Sequence, residues 1–508
     1  MTSRAGELSA RSSVLRVRRQ RAIATGLGAV VIFFLGVMAL VFANFGSQGS
    51  GIALLVLLGA IGAAALRPIA GVFAIVFLGL MGDGETSAWF PFAKNLSSKE
   101  SLLYVSDGLP LSPLEILVVI TVLLWLIELF STPGGRLVKD SLLTATAAFT
   151  GFVVLGFVVG IAGGGDIRVA LFEGRAMLVL FPMYLLIINL CDRRALRALA
   201  WTAIAAIFVN ALFALLYLRQ LSPQKLEGLE ALGDHTAATH WNMIIVLTLV
   251  LFLYRAGSRS SRFVMLGLCV PTLIVYSAAQ RRSAVIGLVV ALGIVVLALW
   301  WRDRAKFLVI APVLLLLGVG YTAAFWNSTS SAGFPAQAVK SVISSTEPTE
   351  KDRSSDQYRD MENFDINYTI RSAPVLGIGF GQKFYRPIPL PDISFFEFYE
   401  YIPHNSILWV WIKTGFGGFL SMLMMLGLAV RVGARNLVNA RDDTDAAFAL
   451  VGVAFVFMFA VFAYVDIAWN SQNMVLLAVA FALCSSKVAR TAPRAASASV
   501  ERPLTKAR

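Results

Sequence analysis

The chain has 508 residues, of which 57% are apolar and 14% charged, with a mean hydropathy of +0.75. Soluble domains run near 45–50% apolar and about 25% charged, so this composition excludes a soluble enzyme, a disordered chain and an ordinary nucleic-acid binder. The formal net charge of +13 would suggest a polyanion partner in a soluble protein. In a membrane protein it records topology first, because Lys and Arg accumulate on the cytoplasmic side.

A bilayer core of about 30 Å needs roughly 20 apolar helical residues. Taken in chain order, such runs predict spans at 22–44, 51–66, 69–82, 113–130, 141–162, 172–190, 198–219, 241–254, 263–280, 283–301, 307–326, 406–430, 446–467 and 471–486. The second, third and eighth are short. The fold class is therefore all-α: a polytopic integral membrane protein of about 12–14 transmembrane helices with one large outer loop domain. Residues 1–21 read as a basic cytoplasmic N-terminus, 22–326 as helices 1–11, 327–405 as the large outer loop and 406–486 as helices 12–14. Residues 487–508, rich in Ala, Ser, Pro and Arg without apolar period, read as a disordered cytoplasmic tail. The first run is long enough to span and is followed by no convincing cleavage site, so it is expected to remain. Cys191, Cys269 and Cys484 are far apart and read as inert thiols.

Basic residues between spans set the orientation. With the N-terminus inside, inner connections hold Arg67, Arg136 and Lys139, Arg193, Arg194 and Arg197, then Arg255, Arg259 and Arg262. They continue with Arg302, Arg304 and Lys306, and with Arg431, Arg435 and Arg441. Together with the two termini, these segments carry well over half of the 43 basic residues, and the remainder of the chain is net acidic. Both termini are expected in the cytoplasm of a cell whose inner membrane holds the protein.

Three outer segments stand out, at 83–112, 220–240 and 327–405. The last contains an aromatic cluster, Phe395, Phe396, Phe398, Tyr399 and Tyr401, and is expected to fold over the outer mouth, since long loops in compact proteins are usually functional when ordered.

Charges that break the topology rule are the informative ones. Arg281 and Arg282 fall at an outer junction with no acidic residue within twenty positions, which favours a bound anion, with snorkelling as the alternative. Their planar forks match phosphate oxygens, and a diphosphate offers several. Arg168 and Arg175 begin another span, where they bind an anion too or pair with Asp166 and Glu173. In the large loop, apolar residues at 358, 361, 364 and 368 predict a helix ending before Pro374, with Arg359 and Asn363 on one face. The following Pro374–Gly381 stretch carries three glycines, but no strand–helix unit surrounds it. A tight turn with close backbone approach fits better than a dinucleotide site.

The histidines, His235, His240 and His404, all fall outside and lack carboxylates at metal-ligand spacing, so no metal is expected. His404 opens a span together with Asn405 and Ser406. A neutral imidazole there can accept a proton near physiological pH; the alternative is a helix-capping residue.

At these residues the chain resembles the O-antigen ligase and O-antigen polymerase superfamily of bacterial surface-polysaccharide assembly. Members carry an Arg about fifteen residues before a Pro-x-x-Gly-x-Gly-x-Gly turn, then His-Asn opening a helix that soon reaches Gly-x-x-Gly. Here these are Arg359, Pro374–Gly381, His404-Asn405 and Gly415–Gly418. An earlier Ser-Arg-Gly-Ala-like element is similar to Arg282-Ser283-Ala284, with Arg281 in place of the usual Ser, and Asn363 stands where many members have Trp. The likeness spans about 270–425.

The resemblance implies a metal- and nucleotide-independent glycosyltransferase using an undecaprenyl-diphosphate-linked (polyprenyl-diphosphate) glycan donor and a glycan or glycolipid acceptor, with membrane lipid as surroundings. No cofactor and no nucleic acid enter. His404, Arg282 and Arg359 are the expected catalytic residues, and Arg281, Arg175, Arg168, Asn363 and Asn405 the expected substrate-binding ones. The competing reading is a transporter or flippase of a lipid-linked glycan, which needs buried charges near the midplane. Lys413 and Asp466 are its candidates.

Overall fold

A computed structural model describes residues 48–485 apart from 83–91, 100, 102, 107–108, 133–136, 222–231, 234, 329, 345–349, 392–396 and 441. The predicted first span, the basic N-terminus, the C-terminal tail, Arg136, Arg441, Phe395 and Phe396 lie outside the described residues. Among the described residues the chain is helical, with no strand. Nine helices there are long and apolar enough to cross a membrane, and four shorter apolar helices accompany them. The protein is an all-α, multi-pass membrane protein.

In chain order the helices are α1 (Gln48–Leu66), α2 (Pro68–Met81), α3 (Pro113–Ser131), α4 (Ser141–Ala162), α5 (Ile167–Gly174), α6 (Leu180–Leu190), α7 (Arg193–Gln220) and α8 (Ala237–Leu253). They continue with α9 (Arg259–Ala279), α10 (Arg282–Arg302), α11 (Arg304–Ala324), α12 (Phe334–Ile343), α13 (Glu350–Ser372), α14 (Ser406–Asn439), α15 (Asp443–Val465) and α16 (Ser471–Cys484). Each apolar run from 51 onward thus forms helix, because a bilayer leaves backbone groups no partner but their own helix. The run at 172–190 is interrupted by a change of helix type. A 3-10 stretch, Arg175–Val179, joins α5 to α6.

Sequence also fixes several ends. Ser112 and Glu115 form a reciprocal capping box at α3, satisfying two otherwise orphaned N–H groups. Asp140, Asp192, Asn405, Asp442 and Asn470 cap α4, α7, α14, α15 and α16 through their side chains.

The core centres on α15 and α16. Most of the span in α15 is buried, and α16 is buried along almost its whole length, which is what helices apolar on every face do. By contrast, no residue of α11 is buried; this helix stands at the periphery, apolar toward lipid.

Residues 374–381 enter the bundle as the close-packed turn expected of them. Gly377, Gly379 and Gly381 have φ of +71°, +82° and +79°. A Cβ at Gly379 would collide with the Gly160 backbone, and one at Gly381 with the Asp166 carbonyl, so both conformation and approach require glycine. Opposite the turn, α14 breaks at Gly415 (φ +70°). The Ile378 N–H donates to the Ile412 carbonyl at 2.7 Å and the Phe416 N–H to the Pro374 carbonyl at 3.1 Å. The turn thereby takes up backbone groups that the kink releases.

Beneath it lies a buried ion pair. Lys413 Nζ is 2.7 Å from Glu173 Oε1, and neither side chain is exposed. Glu173 also accepts the Gly381 N–H at 2.5 Å, and Lys413 donates to the Gln382 carbonyl at 2.5 Å. These bonds fasten α5 and α14 to the glycine turn.

At the end of the bundle opposite residues 327–405, arginines meet the acidic start of α15. Arg193 Nε is 2.8 Å from Asp445, Arg197 bridges Asp445 at 2.6 Å and also Asp442, and Arg302 lies 3.0 Å from Asp443. Carboxylates in a first turn are favoured by the helix dipole, and here they also gather α7 and α10.

Candidate functional site

The site is built on α13. As the sequence predicts, this helix stops before Pro374, at Ser372. Its middle presents Asp356, Tyr358, Arg359, Glu362 and Asn363 to the starts of α10 and α14.

On one side are the arginines. Arg282, the first residue of α10, reaches across 74 positions to Asp356, with Nη2 at 3.1 Å from Oδ1 and Nη1 at 3.4 Å from Oδ2. Arg359 Nη1 is 3.8 Å from the same Oδ1. Two guanidinium groups therefore converge on one half-exposed carboxylate. In sequence no acidic residue is near Arg282; in space one arrives from α13.

On the other side is His404. Glu362 accepts its backbone N–H on Oε2 at 2.9 Å and lies 3.1 Å from its Nδ1 through Oε1. That carboxylate is 2% exposed and the imidazole 26%, so the pair has a buried inner half and an accessible outer one. The Tyr358 ring meets the imidazole edge-on at 5.5 Å. Burial, and next the charge of Glu362, push the Tyr358 hydroxyl well above the ordinary tyrosine range. His404 does not cap the helix. Asn405 does, accepting the Leu408 N–H at 3.1 Å while its amide donates to Asn363 Oδ1 at 2.9 Å. Since Arg359 and Glu362 are three residues apart, about 4.5 Å along the helix axis, α13 brings Arg282, Arg359, His404, Asn363 and Asn405 into one neighbourhood.

Arg281 turns the other way. Its Nε is buried without a hydrogen-bond partner, and its charge acts on Asp466, which His235 Nδ1 contacts at 3.1 Å. Burial would raise the Asp466 carboxyl, but the hydrogen bond and charge of His235, with the charge of Arg281, outweigh it and hold the group below the usual carboxylate range. The Asp466 carbonyl accepts from Ser406 Oγ at 2.8 Å, so this second cluster is tied to the residue two beyond His404.

Arg175 and Arg168 lie elsewhere. Arg175 is turned inward, bonded to Asn95 and 3.4 Å from Glu115. The partner sequence offered it, Glu173, is instead taken by Lys413. Arg168 is exposed at the start of α5, where Asp166 accepts its backbone N–H at 2.7 Å. Of the midplane charges a transporter would need, Lys413 is neutralised within the ion pair and Asp466 follows the end of α15.

Sequence reading passed over Asp356, Glu362 and the Glu173–Lys413 and His235–Asp466 pairs. For Lys413 a signal existed, a lone cation within an apolar span. For Glu362 there was only its place in a polar patch.

An apolar cavity of about 560 Å³ opens at the helix break, lined by Phe152, Leu155, Val375, Leu376, Trp411 and Phe416, among others. Near it the Trp411 Nε1–H donates to the Pro374 carbonyl at 3.0 Å. Farther along the loop, Glu400 lies within 2.5 Å of Lys383 and pairs with Arg386. The Lys383 hydrogen bond is the main influence; with Arg386 it outweighs burial and holds Glu400 below the usual glutamate range.

Fold and site together define a multi-pass helical membrane protein with an Arg–His–carboxylate cluster where a long loop folds onto one end of the bundle. Residues 244–423 match the family model described as O-antigen ligase, a stretch that includes Arg281, Arg282, Arg359, Asn363, His404 and Asn405. The match supports the O-antigen ligase and polymerase superfamily and, with it, an O-antigen ligase-like, glycosyltransferase-like function. No curated protein matches the chain.

Proposed function

We propose that the protein transfers or polymerises glycan from a polyprenyl-diphosphate-linked donor onto an acceptor hydroxyl of a glycan or glycolipid. The reaction takes place at the outer face of the inner membrane, with both termini cytoplasmic, and uses neither metal nor nucleotide. One observation carries this reading: Arg282 and Arg359 converge on Asp356, about 9 Å along the α13 axis from Glu362, which holds His404.

A diphosphate offers the two guanidinium forks more oxygens than Asp356 does, and charge-assisted forked bonds are the strong kind. In the reacting complex the acceptor oxygen bonds to the anomeric carbon as the bond from that carbon to the diphosphate oxygen breaks. His404 takes the hydroxyl proton. The lipid diphosphate leaves with the bonding electron pair, and the arginines stabilise the charge it gains. A single displacement of this kind inverts the anomeric centre. The apolar cavity at Phe152, Trp411 and Phe416 suits a polyprenyl chain by the chemistry of its lining.

The test is glycan transfer in vesicles by Arg282→Ala, Arg359→Ala and His404→Ala. All three are expected to lose transfer while folding normally. Near-normal activity in all three overturns the catalytic reading, and movement of labelled donor without a new glycosidic bond replaces it with transport.

A further inference from the structure

We infer that Glu362 is the positioning residue that fixes the tautomer of His404, so that the nitrogen facing the acceptor carries the lone pair. This rests on the glycosyltransferase reading of the same site.

A carboxylate only accepts hydrogen bonds, whereas a neutral imidazole carries one N–H and one lone pair. Glu362 Oε2 accepts the His404 backbone N–H at 2.9 Å, and Nδ1 lies between the two oxygens, nearer Oε1 at 3.1 Å than Oε2 at 3.3 Å. An acceptor opposite Nδ1 requires the proton to be on Nδ1. Nε2 is then left as the basic nitrogen, and the acceptor hydroxyl delivers its proton there as its oxygen attacks.

Three features make the arrangement specific. Glu362 is buried, so water competes little for its oxygens. Both oxygens are engaged by one residue, which fixes the ring and the backbone of His404 together. The edge of Tyr358 at 5.5 Å and the cap at Asn405 limit where the imidazole can turn.

The same geometry makes an unusual prediction for the isosteric change Glu362→Gln. The His404 backbone N–H demands an acceptor, so the amide oxygen stays on it. The amide NH2 then faces Nδ1 and donates to it, Nδ1 becomes the acceptor, and the ring proton moves to Nε2. The base is lost although the shape is kept. In Glu362→Ala neither tautomer is enforced, and a fraction of the enzyme keeps a basic Nε2. The Gln variant should therefore be less active than the Ala variant. A purely structural role gives the reverse order, since Ala leaves a cavity and Gln does not.

The experiment measures kcat and donor KM for wild type, Glu362→Gln, Glu362→Ala, Glu362→Asp and His404→Ala in proteoliposomes, with 15N-imidazole spectra of His404 in the first three. Glu362→Gln should lose about 10²–10⁴-fold in kcat at unchanged donor KM, the range for a misplaced or wrongly protonated base. The Ala variant should lose less, Asp should restore part, and the spectra should show Nδ1–H in wild type and Nε2–H in Gln. Gln at wild-type activity, or Gln above Ala with Nδ1–H retained, overturns the positioning role while His404→Ala stays inactive. If His404→Ala is itself active, the glycosyltransferase reading fails instead.

Discussion

The two ends of the helical bundle both hold arginines against carboxylates, and they do it differently. At the end away from the long loop, Arg193, Arg197 and Arg302 meet Asp442, Asp443 and Asp445, with as many carboxylates as cations. Those contacts join α7 and α10 to the start of α15, and their role is complete within the fold. At the loop end Arg282 and Arg359 meet on one half-exposed carboxylate, and His404 stands beside them with its inner face held by Glu362. Matched charges staple helices. Two forks converging on one accessible carboxylate form a place that a multiply charged anion can take over.

The sharpest way to break this contrast is to remove charges at each end. Arg282→Ala or Arg359→Ala should lower glycan transfer by about 10²-fold or more, the scale of losing one donor to developing charge, with thermal stability in detergent little changed. The buried pair in the middle should behave in the opposite sense. Lys413→Met leaves Glu173 uncompensated and should cost about 3–5 kcal/mol in stability, whereas Glu173→Gln combined with Lys413→Met should recover much of it. Thermal unfolding of the three proteins checks this, and equal stability of single and double variants would remove the pair's place in the fold.

Smaller effects complete the comparison. Glu400 lies below the usual glutamate range through Lys383 and Arg386, so its pairing stabilises the folded protein above the ordinary value near 4.5. That contribution is lost as pH falls from there through the lowered folded value. Glu400→Gln should thus be less stable than wild type at pH 7 by about 1 kcal/mol, and the gap should close under acid. Arg197→Ala at the stapled end, where the side chain is 33% exposed, should cost no more than about 1 kcal/mol and leave transfer rates unchanged. A large loss of transfer from Arg197→Ala would erase the distinction between the ends.

Much of the fold was legible because a bilayer simplifies the code. Apolar runs of sufficient length become helices, and the runs from 51 onward do so here. Pro374 and the three glycines after it marked the end of α13 and the turn, since few other residues tolerate those conformations. What stayed hidden was pairing across distance. The Glu362–His404 contact spans 42 positions, Arg282–Asp356 74 and His235–Asp466 231, and no local pattern encodes such partners. Arg175 illustrates the cost: a neighbouring Glu173 suggested a local pair, yet packing gave Arg175 to Glu115 and Glu173 to Lys413. Gly415 lay within a recognised glycine stretch, but its break in α14 became visible only once the 374–381 turn was seated against it.

The role proposed for His404, beside the two arginines, is to remove the proton of an acceptor hydroxyl as a polyprenyl-diphosphate leaves. Its most direct test is single-turnover transfer of labelled glycan from a polyprenyl-diphosphate donor in proteoliposomes, comparing wild type with His404→Ala at saturating donor. Wild type should form a new glycosidic linkage, and the variant should lose about 10²–10⁴-fold in its rate, at undiminished donor binding. A His404→Ala protein that forms the linkage at the wild-type rate would contradict it.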